Sequence, residues 1–173
     1  MNLTDVILTD GKVLHTKQEL SLETIDLPFG SFPVTKKSPL DLTVTNTGEK
    51  KLTLEGETTL EVEIPCARCL DPVRTTLNLR FDLDVDMKLT EDDRLEALDE
   101  SDYLHGYNLD VDKLVCGEAL LNWPPRVLCR EDCAGLCKVC GQNLNRKTCD
   151  CDRTDLDPRM AKIRDIFSMY KEV

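Results

Sequence analysis

Apolar residues take every second position along the middle of the chain. Leu42 and Val44 alternate, Asn46-Thr47-Gly48 reads as a turn, and Leu52 and Leu54 alternate again ahead of Gly56. Leu60, Val62 and Ile64 continue the period of two up to Pro65 and Cys66. Beyond Asp71-Pro72 the pattern is cleaner: Val73, Thr75, Leu77, Leu79, Phe81, Leu83, Val85, Met87 and Leu89 all fall in step. Such alternation buries one face of a strand and wets the other, as in antiparallel sheets. It predicts a curved antiparallel β-sheet or a small open barrel.

Either side of this region the signal changes. Residues 1–40 are poorly patterned and broken by Pro28, Pro33 and Pro39, which predicts one or two edge strands and loops. Asp82 to Asp102 holds ten Asp/Glu against Lys88 and Arg94, a solvated strand face running into a loop, with an acidic docking surface as the sharper alternative. Leu109, Leu114, Ala119 and Leu121 predict a helix from about Asp110 to Asn122, stopped by Pro124-Pro125. Near the end, Asp157 is placed as an N-cap with Pro158 in the first turn, and Ile163, Ile166, Phe167 and Tyr170 form an apolar stripe at helical spacing.

Composition narrows the function classes. The chain has 173 residues, of which 40% are apolar but only 5% aromatic, so its core is aliphatic. No basic start with an apolar run opens it, and no stretch approaches the ~20 apolar residues needed to span a bilayer, which predicts a cytoplasmic protein with no membrane partner. In a reducing compartment its nine cysteines are expected to be metal ligands or redox groups and not disulfides. The net charge of −11 argues against tight binding to naked nucleic acid. It is unevenly spread: residues 126–173 carry ten Lys/Arg and eight Asp/Glu, whereas residues 1–125 carry twelve and twenty-five.

Six of the nine cysteines lie between positions 129 and 151. In Cys137-Lys138-Val139-Cys140-Gly141, two intervening residues let a tight turn offer both sulfurs to one tetrahedral ion at about 2.3 Å. Gly141 lets the chain leave that turn at positive φ, so that backbone N–H groups can face the sulfurs. Cys149-Asp150-Cys151 offers two further thiolates. Four sulfurs close the coordination sphere, which makes this predicted Zn(2+) structural. Cys66-Ala67-Arg68-Cys69 sits at the tip of the predicted hairpin, and Cys129 and Cys133 are the natural completion of a second site that would tie the sheet to the C-terminal segment. One or two zinc ions are thus expected; in the rival single-ion arrangement the other cysteines stay reduced and idle. Cys116 is expected to be a buried apolar thiol in the helix. A redox CxxC normally opens a helix after a strand, unlike Cys66 and Cys69, and the CxC spacing favours a single ion over an iron–sulfur cluster. His15 and His105 are isolated, and no catalytic constellation or phosphate loop is present, so no small-molecule substrate and no enzymatic activity are expected.

The fold class is therefore α+β, a mainly antiparallel β domain over residues 1–108 with the hairpin-tip CxxC and the acidic loop. Residues 109–173 would supply a helix, the cysteine-rich zinc-binding segment and a C-terminal helix. The order Cys66-Ala67-Arg68-Cys69-Leu70-Asp71-Pro72, then Cys129 to Cys137, then Cys140-Gly141-Gln142-Asn143-Leu144-Asn145, Cys149-Asp150-Cys151 and Asp157-Pro158-Arg159 resembles the YceD-like bacterial family. Members of that family are named large ribosomal RNA subunit accumulation proteins and are described as metal-binding and as candidate nucleic-acid-binding proteins. The resemblance covers about residues 40–165. It implies a cytoplasmic role in large-subunit ribosomal RNA accumulation or processing, or in ribosome biogenesis, with ribosomal RNA or a ribosome-assembly protein as partner. Arg126, Arg130, Lys138, Arg146, Lys147 and Arg153 border the cysteines and are the candidate RNA contacts. Asn143 and Asn145 are expected to cap the turn after the knuckle, with contact to a partner as the alternative. The competing readings are an adaptor unrelated to ribosomes that docks through the acidic loop, and a sensor in which Cys66 and Cys69 alternate between zinc-bound and oxidised forms.

Overall fold

The computed structural model describes residues 1–88 and 103–151. Most of the acidic 82–102 stretch and the whole predicted terminal helix, from Asp157 to Tyr170, lie outside the described residues, as do Leu89 and Arg153. The chain forms two compact units: Met1–Cys66 with Asp71–Cys129, and Ala67–Leu70 with Arg130–Val173.

The first unit is built on two long strands. β5 (Lys51–Pro65) and β6 (Pro72–Asp86) pair antiparallel without interruption, from Lys51↔Asp86 to Pro65↔Pro72. Along the other edge of β5, β4 (Leu40–Gly48) pairs with its first half, and β3 (Gly30–Lys37) pairs with Val62, Glu61 and Leu60 in its second half. β1 (Val13–Gln18) then pairs with β4, and β2 (Thr24–Leu27) with β3. Among the described residues every pairing is antiparallel, as the alternation predicts, and the sheet is open, not a closed barrel.

The period of two is the register. Leu52, Leu54, Leu60 and Val62 of β5 and Leu79 of β6 are at most 1% exposed, each fully buried leucine contributing about 2 kcal/mol. Gly56 falls on the same inward face because the Phe81 ring, its partner on β6, fills the space; a Cβ there would lie 2.1 Å from Phe81 Cζ. Thr58, also inward, donates its hydroxyl to the Ser38 carbonyl at 2.9 Å. On the wet face, Arg80 pairs with Glu57 at 2.7 Å and Arg74 with Glu63 at 3.6 Å, each directly across the ladder. Exposed pairs of this kind contribute well under ~1 kcal/mol apiece and chiefly favour this register.

The first forty residues differ from their expectation. They form a helical turn, α1 (Thr4–Ile7), and three strands, one of which, β3, is flanked on both edges. Each strand there turns few side chains inward, Ile25 in β2 and Phe32 in β3 being the buried ones, too sparse for a period to show. The turn also lies later than Asn46-Thr47-Gly48 predicts. Gly48 pairs with Lys51, and the two loop residues Glu49 (φ 53°) and Lys50 (φ 62°) adopt the left-handed conformation of a type I′ hairpin. Asn46 is instead a buried strand residue. Its amide nitrogen donates toward the carbonyls of Val6 (2.9 Å), Ile7 (3.1 Å) and Thr9 (3.1 Å), closing the end of α1.

Two short strands, β7 (Leu104–His105) and β8 (Asn108–Leu109), lead into α2 (Val111–Leu121). The helix lies where the pattern predicts it, with Asp110 as N-cap accepting from the Lys113 N–H at 3.1 Å. Leu114, Val115 and Ala119 face the core; Leu109 belongs to β8, and Leu121 is 77% exposed, so these two do not form part of its buried stripe.

Candidate metal centre

The β5–β6 hairpin ends where Pro65 and Pro72 close its ladder, since neither can donate a further rung. The Cys66 N–H bonds to the Asp71 carbonyl at 2.8 Å, and Leu70 takes a φ of 61°. A non-glycine residue there costs about 1 kcal/mol, the strain of folding Cys66-Ala67-Arg68-Cys69 into one tight turn. Cys66 and Cys69 are buried. The Cys129 N–H donates to Cys66 Sγ at 3.4 Å.

Around Cys133 the chain is fixed by Arg68 and Asn145. Arg68 donates through Nη1 to the Cys133 carbonyl (2.9 Å) and to that of Glu131 (3.1 Å), and its own carbonyl accepts from the Leu136 N–H (3.1 Å). Gly135, at φ 76°, passes so close that a Cβ would lie 3.1 Å from the Arg68 oxygen. Asn145 donates from Nδ2 to Cys133 Sγ at 3.2 Å, while its Oδ1 accepts from the Ala134 N–H and from Arg130 Nη2, both at 2.8 Å. Asn143 does act as a turn cap, its Oδ1 accepting from the Asn145 N–H at 3.0 Å. Asn145 thus goes beyond the capping role: it aims a donor at the Cys133 sulfur.

The knuckle at Cys137–Cys140 is a closed loop of backbone bonds. The Gly141 N–H reaches the Cys137 carbonyl (2.8 Å), the Cys137 N–H reaches the Gln142 carbonyl (2.8 Å), and Gly141 leaves at φ 73°. The Cys137 thiol is lowered to about 6 by the backbone N–H groups of Cys140 and Val139 and by a side-chain bond with Cys149. The Cys151 thiol is raised to about 12 by its side-chain bond with Cys140, by burial and by Cys149. Four sulfurs gathered this closely cannot all ionise on their own, because each thiolate formed opposes the next. A bound cation would relieve that opposition.

The sulfurs form two groups of four: Cys66, Cys69, Cys129 and Cys133; and Cys137, Cys140, Cys149 and Cys151. Within each group every sulfur lies within 4.8 Å of the others. A tetrahedral ion with metal–sulfur bonds of about 2.3 Å holds its sulfurs about 3.8 Å apart, so both groups could hold a metal after a small contraction. All nine cysteines are free thiols. Cys116 stands apart, half-buried in α2, its thiol pushed up by burial and by Asp112. The histidines join neither group: His15 Nδ1 lies 2.8 Å from Thr43 Oγ1, and His105 sits opposite Asn108.

Of the basic residues that border the cysteines, Arg126, Arg130, Lys138, Arg146 and Lys147 are exposed. Arg130 is held between Asn145 and Asp132, whose carboxylate lies 3.4 Å from Nε. Sequence reasoning missed Arg68 and Asn145 as positioning residues. Arg68, inside its CxxC, acts on carbonyls more than sixty residues away, and no local spacing announces that.

None of the described helices is long and apolar enough to cross a membrane. No solved structure matches the chain. Uncharacterised proteins of Mycobacterium tuberculosis and Mycobacterium bovis are 28% identical to it over 157 residues, covering 87% of this chain and 69% of theirs. A protein of Arabidopsis thaliana named large ribosomal RNA subunit accumulation protein YCED homolog 1, chloroplastic, is 27% identical over 143 residues, 63% of this chain and 42% of its own. The family profile described as large ribosomal RNA subunit accumulation protein YceD matches residues 54–167, from near the start of β5 to beyond both cysteine groups, and the chain belongs to the YceD family.

Proposed function

We propose that the protein is a non-enzymatic, cytoplasmic zinc protein that supports accumulation of large-subunit ribosomal RNA, acting through contacts with that RNA or with a ribosome-assembly protein. The observation that carries this reading is the gathering of eight cysteines into two four-sulfur groups in a chain of a family named for that RNA. A Zn(2+) in each group would supply only structure, because four sulfurs leave no coordination position for a reactant. The chain's residues do the rest. Arg68 and Asn145 hold the turns that bear the ligands, and N–H donors at Cys66, Cys133 and Cys137 favour their thiolates.

Arg126, Arg130, Lys138, Arg146, Lys147 and Arg153 are the proposed phosphate contacts. Each tetrathiolate zinc adds −2 to the charge of its surroundings, which offsets the small basic excess of residues 126–173. Contact is therefore local, to RNA already folded with protein in a particle. The test is genetic. Deleting the gene should lower large-subunit ribosomal RNA relative to small-subunit RNA. The wild-type gene should restore the ratio, and a Cys149→Ser gene or one carrying Lys138→Glu with Lys147→Glu should not. A normal ratio after deletion contradicts the proposal.

A further inference from the structure

Within the first unit, β2, β6 and α2 leave a groove of about 720 Å³ that the metal chemistry does not use. Its walls include Leu27, Leu83, Leu120 and Leu121; the first three are half-buried, and Leu121 projects at 77% exposure. Phe29, 58% exposed, extends the apolar surface from the neighbouring Pro28, its ring edge-on to Trp123 at 5.8 Å. Exposed aromatic and leucine side chains in one place are what a protein-binding surface presents.

Two further features say what fits. The first is charge. Asp26, Asp110 and Asp112 line the groove against one cation, Lys113. Their hydrogen bonds come from neutral donors: Ser31 and Thr24 to Asp26, the Lys113 backbone N–H to Asp110, the Ser21 N–H to Asp112. Among the described residues no lysine or arginine side chain forms an ion pair with any of the three. The second is Gly117. It lies in the interior of α2, where glycine weakens a helix relative to alanine, and it lines the groove. A Cβ there would meet nothing within 4 Å, so the fold itself does not require glycine. A bare stretch of helix beside an open groove lets a second helix approach closely.

We propose that this groove is a docking site for an amphipathic helix of a partner protein, whose leucine-type face enters between β2 and α2 and whose lysines or arginines reach Asp26, Asp110 and Asp112. The apolar walls supply affinity, the carboxylates select a basic partner over an acidic one, and Gly117 sets how closely the two helices pack. The proposal stands apart from the zinc and ribosomal reading, because every residue it uses lies in the sheet unit.

The test uses the full chain, metal-loaded, and a panel of fluorescent sixteen-residue helical peptides. Leucines repeat at three- and four-residue spacing with lysine elsewhere, and each peptide has a counterpart with glutamate in place of lysine. At least one lysine peptide should bind ten times more tightly than its glutamate counterpart, weaken as salt rises, and slow alkylation of Cys116, which lines the groove. Leu121→Glu and Gly117→Leu should each weaken that binding about tenfold. Leu121 is 77% exposed and a Cβ at position 117 would meet nothing within 4 Å, so both variants should fold, which circular dichroism checks. Gly117→Ala is the sharpest arm: it should raise Tm by about 2 °C while weakening the peptide severalfold. Equal affinity for lysine and glutamate peptides, binding unchanged by Leu121→Glu, or a chain that instead dimerises through Leu121 would each overturn the proposal.

Discussion

The two units are held by different physics. The sheet unit buries a continuous aliphatic cluster from Leu3 to Ala119, and its long ladder satisfies the backbone. Among the described residues of the second unit the buried members of the apolar class are Cys69, Cys133 and Cys137, all cysteines. No leucine, isoleucine or phenylalanine is buried among its described residues. Burial of apolar area at about 25 cal/mol per Å² stabilises the first. The described residues of the second have nearly nothing of that kind to offset their conformational entropy, and two groups of sulfurs that could share a cation stand in its place.

The largest effect expected from that difference is selective unfolding on chelation. A strong zinc chelator should strip hydrogen-exchange protection from Arg130–Cys151 while β4, β5 and β6 keep theirs. Loss of protection in both units together would erase the contrast. The converse perturbation is Leu54→Ala, which opens a cavity in the sheet core and should cost about 3 kcal/mol by urea unfolding, with bound metal unchanged. Smaller again is Asn145→Ala. It removes the donor to Cys133 Sγ and should weaken metal held by that group by about tenfold or more in a competition titration, leaving the Cys137 group as it was.

The smallest concerns pH. Burial holds the Glu118 carboxyl above its ordinary value of 4.5, so the folded chain keeps that proton more tightly than the unfolded one. Its contribution to stability is complete below the unfolded value and is lost as pH rises through the folded one. Glu118→Gln should therefore raise Tm slightly at pH 7, and the gain should vanish towards pH 4. Loss of stability at pH 7 would mean that the charged form has a partner.

Legibility follows the same division. Leu52 to Ile64 and Val73 to Val85 alternate strictly, because each strand covers a core on one side only, and the register can be read from the letters. Asp110 before an apolar run, with Pro124-Pro125 after it, likewise marked α2 to within a residue. Among the first forty residues one or two edge strands were expected where three form, and their positions were hidden because β1, β2 and β3 turn so few side chains inward. The Glu49-Lys50 turn was hidden too, since neither residue advertises a positive φ. At the cysteines, short spacing marked the turns at Cys66–Cys69 and Cys137–Cys140. The roles of Arg68 and Asn145 depend on contacts across the chain that spacing cannot encode.

Metal stoichiometry by native mass spectrometry tests the central claim most directly. The intact chain should carry two zinc ions, and Cys66→Ser and Cys149→Ser should each carry one. A chain that binds no metal when purified under reducing conditions, or variants that both retain two ions, would contradict it.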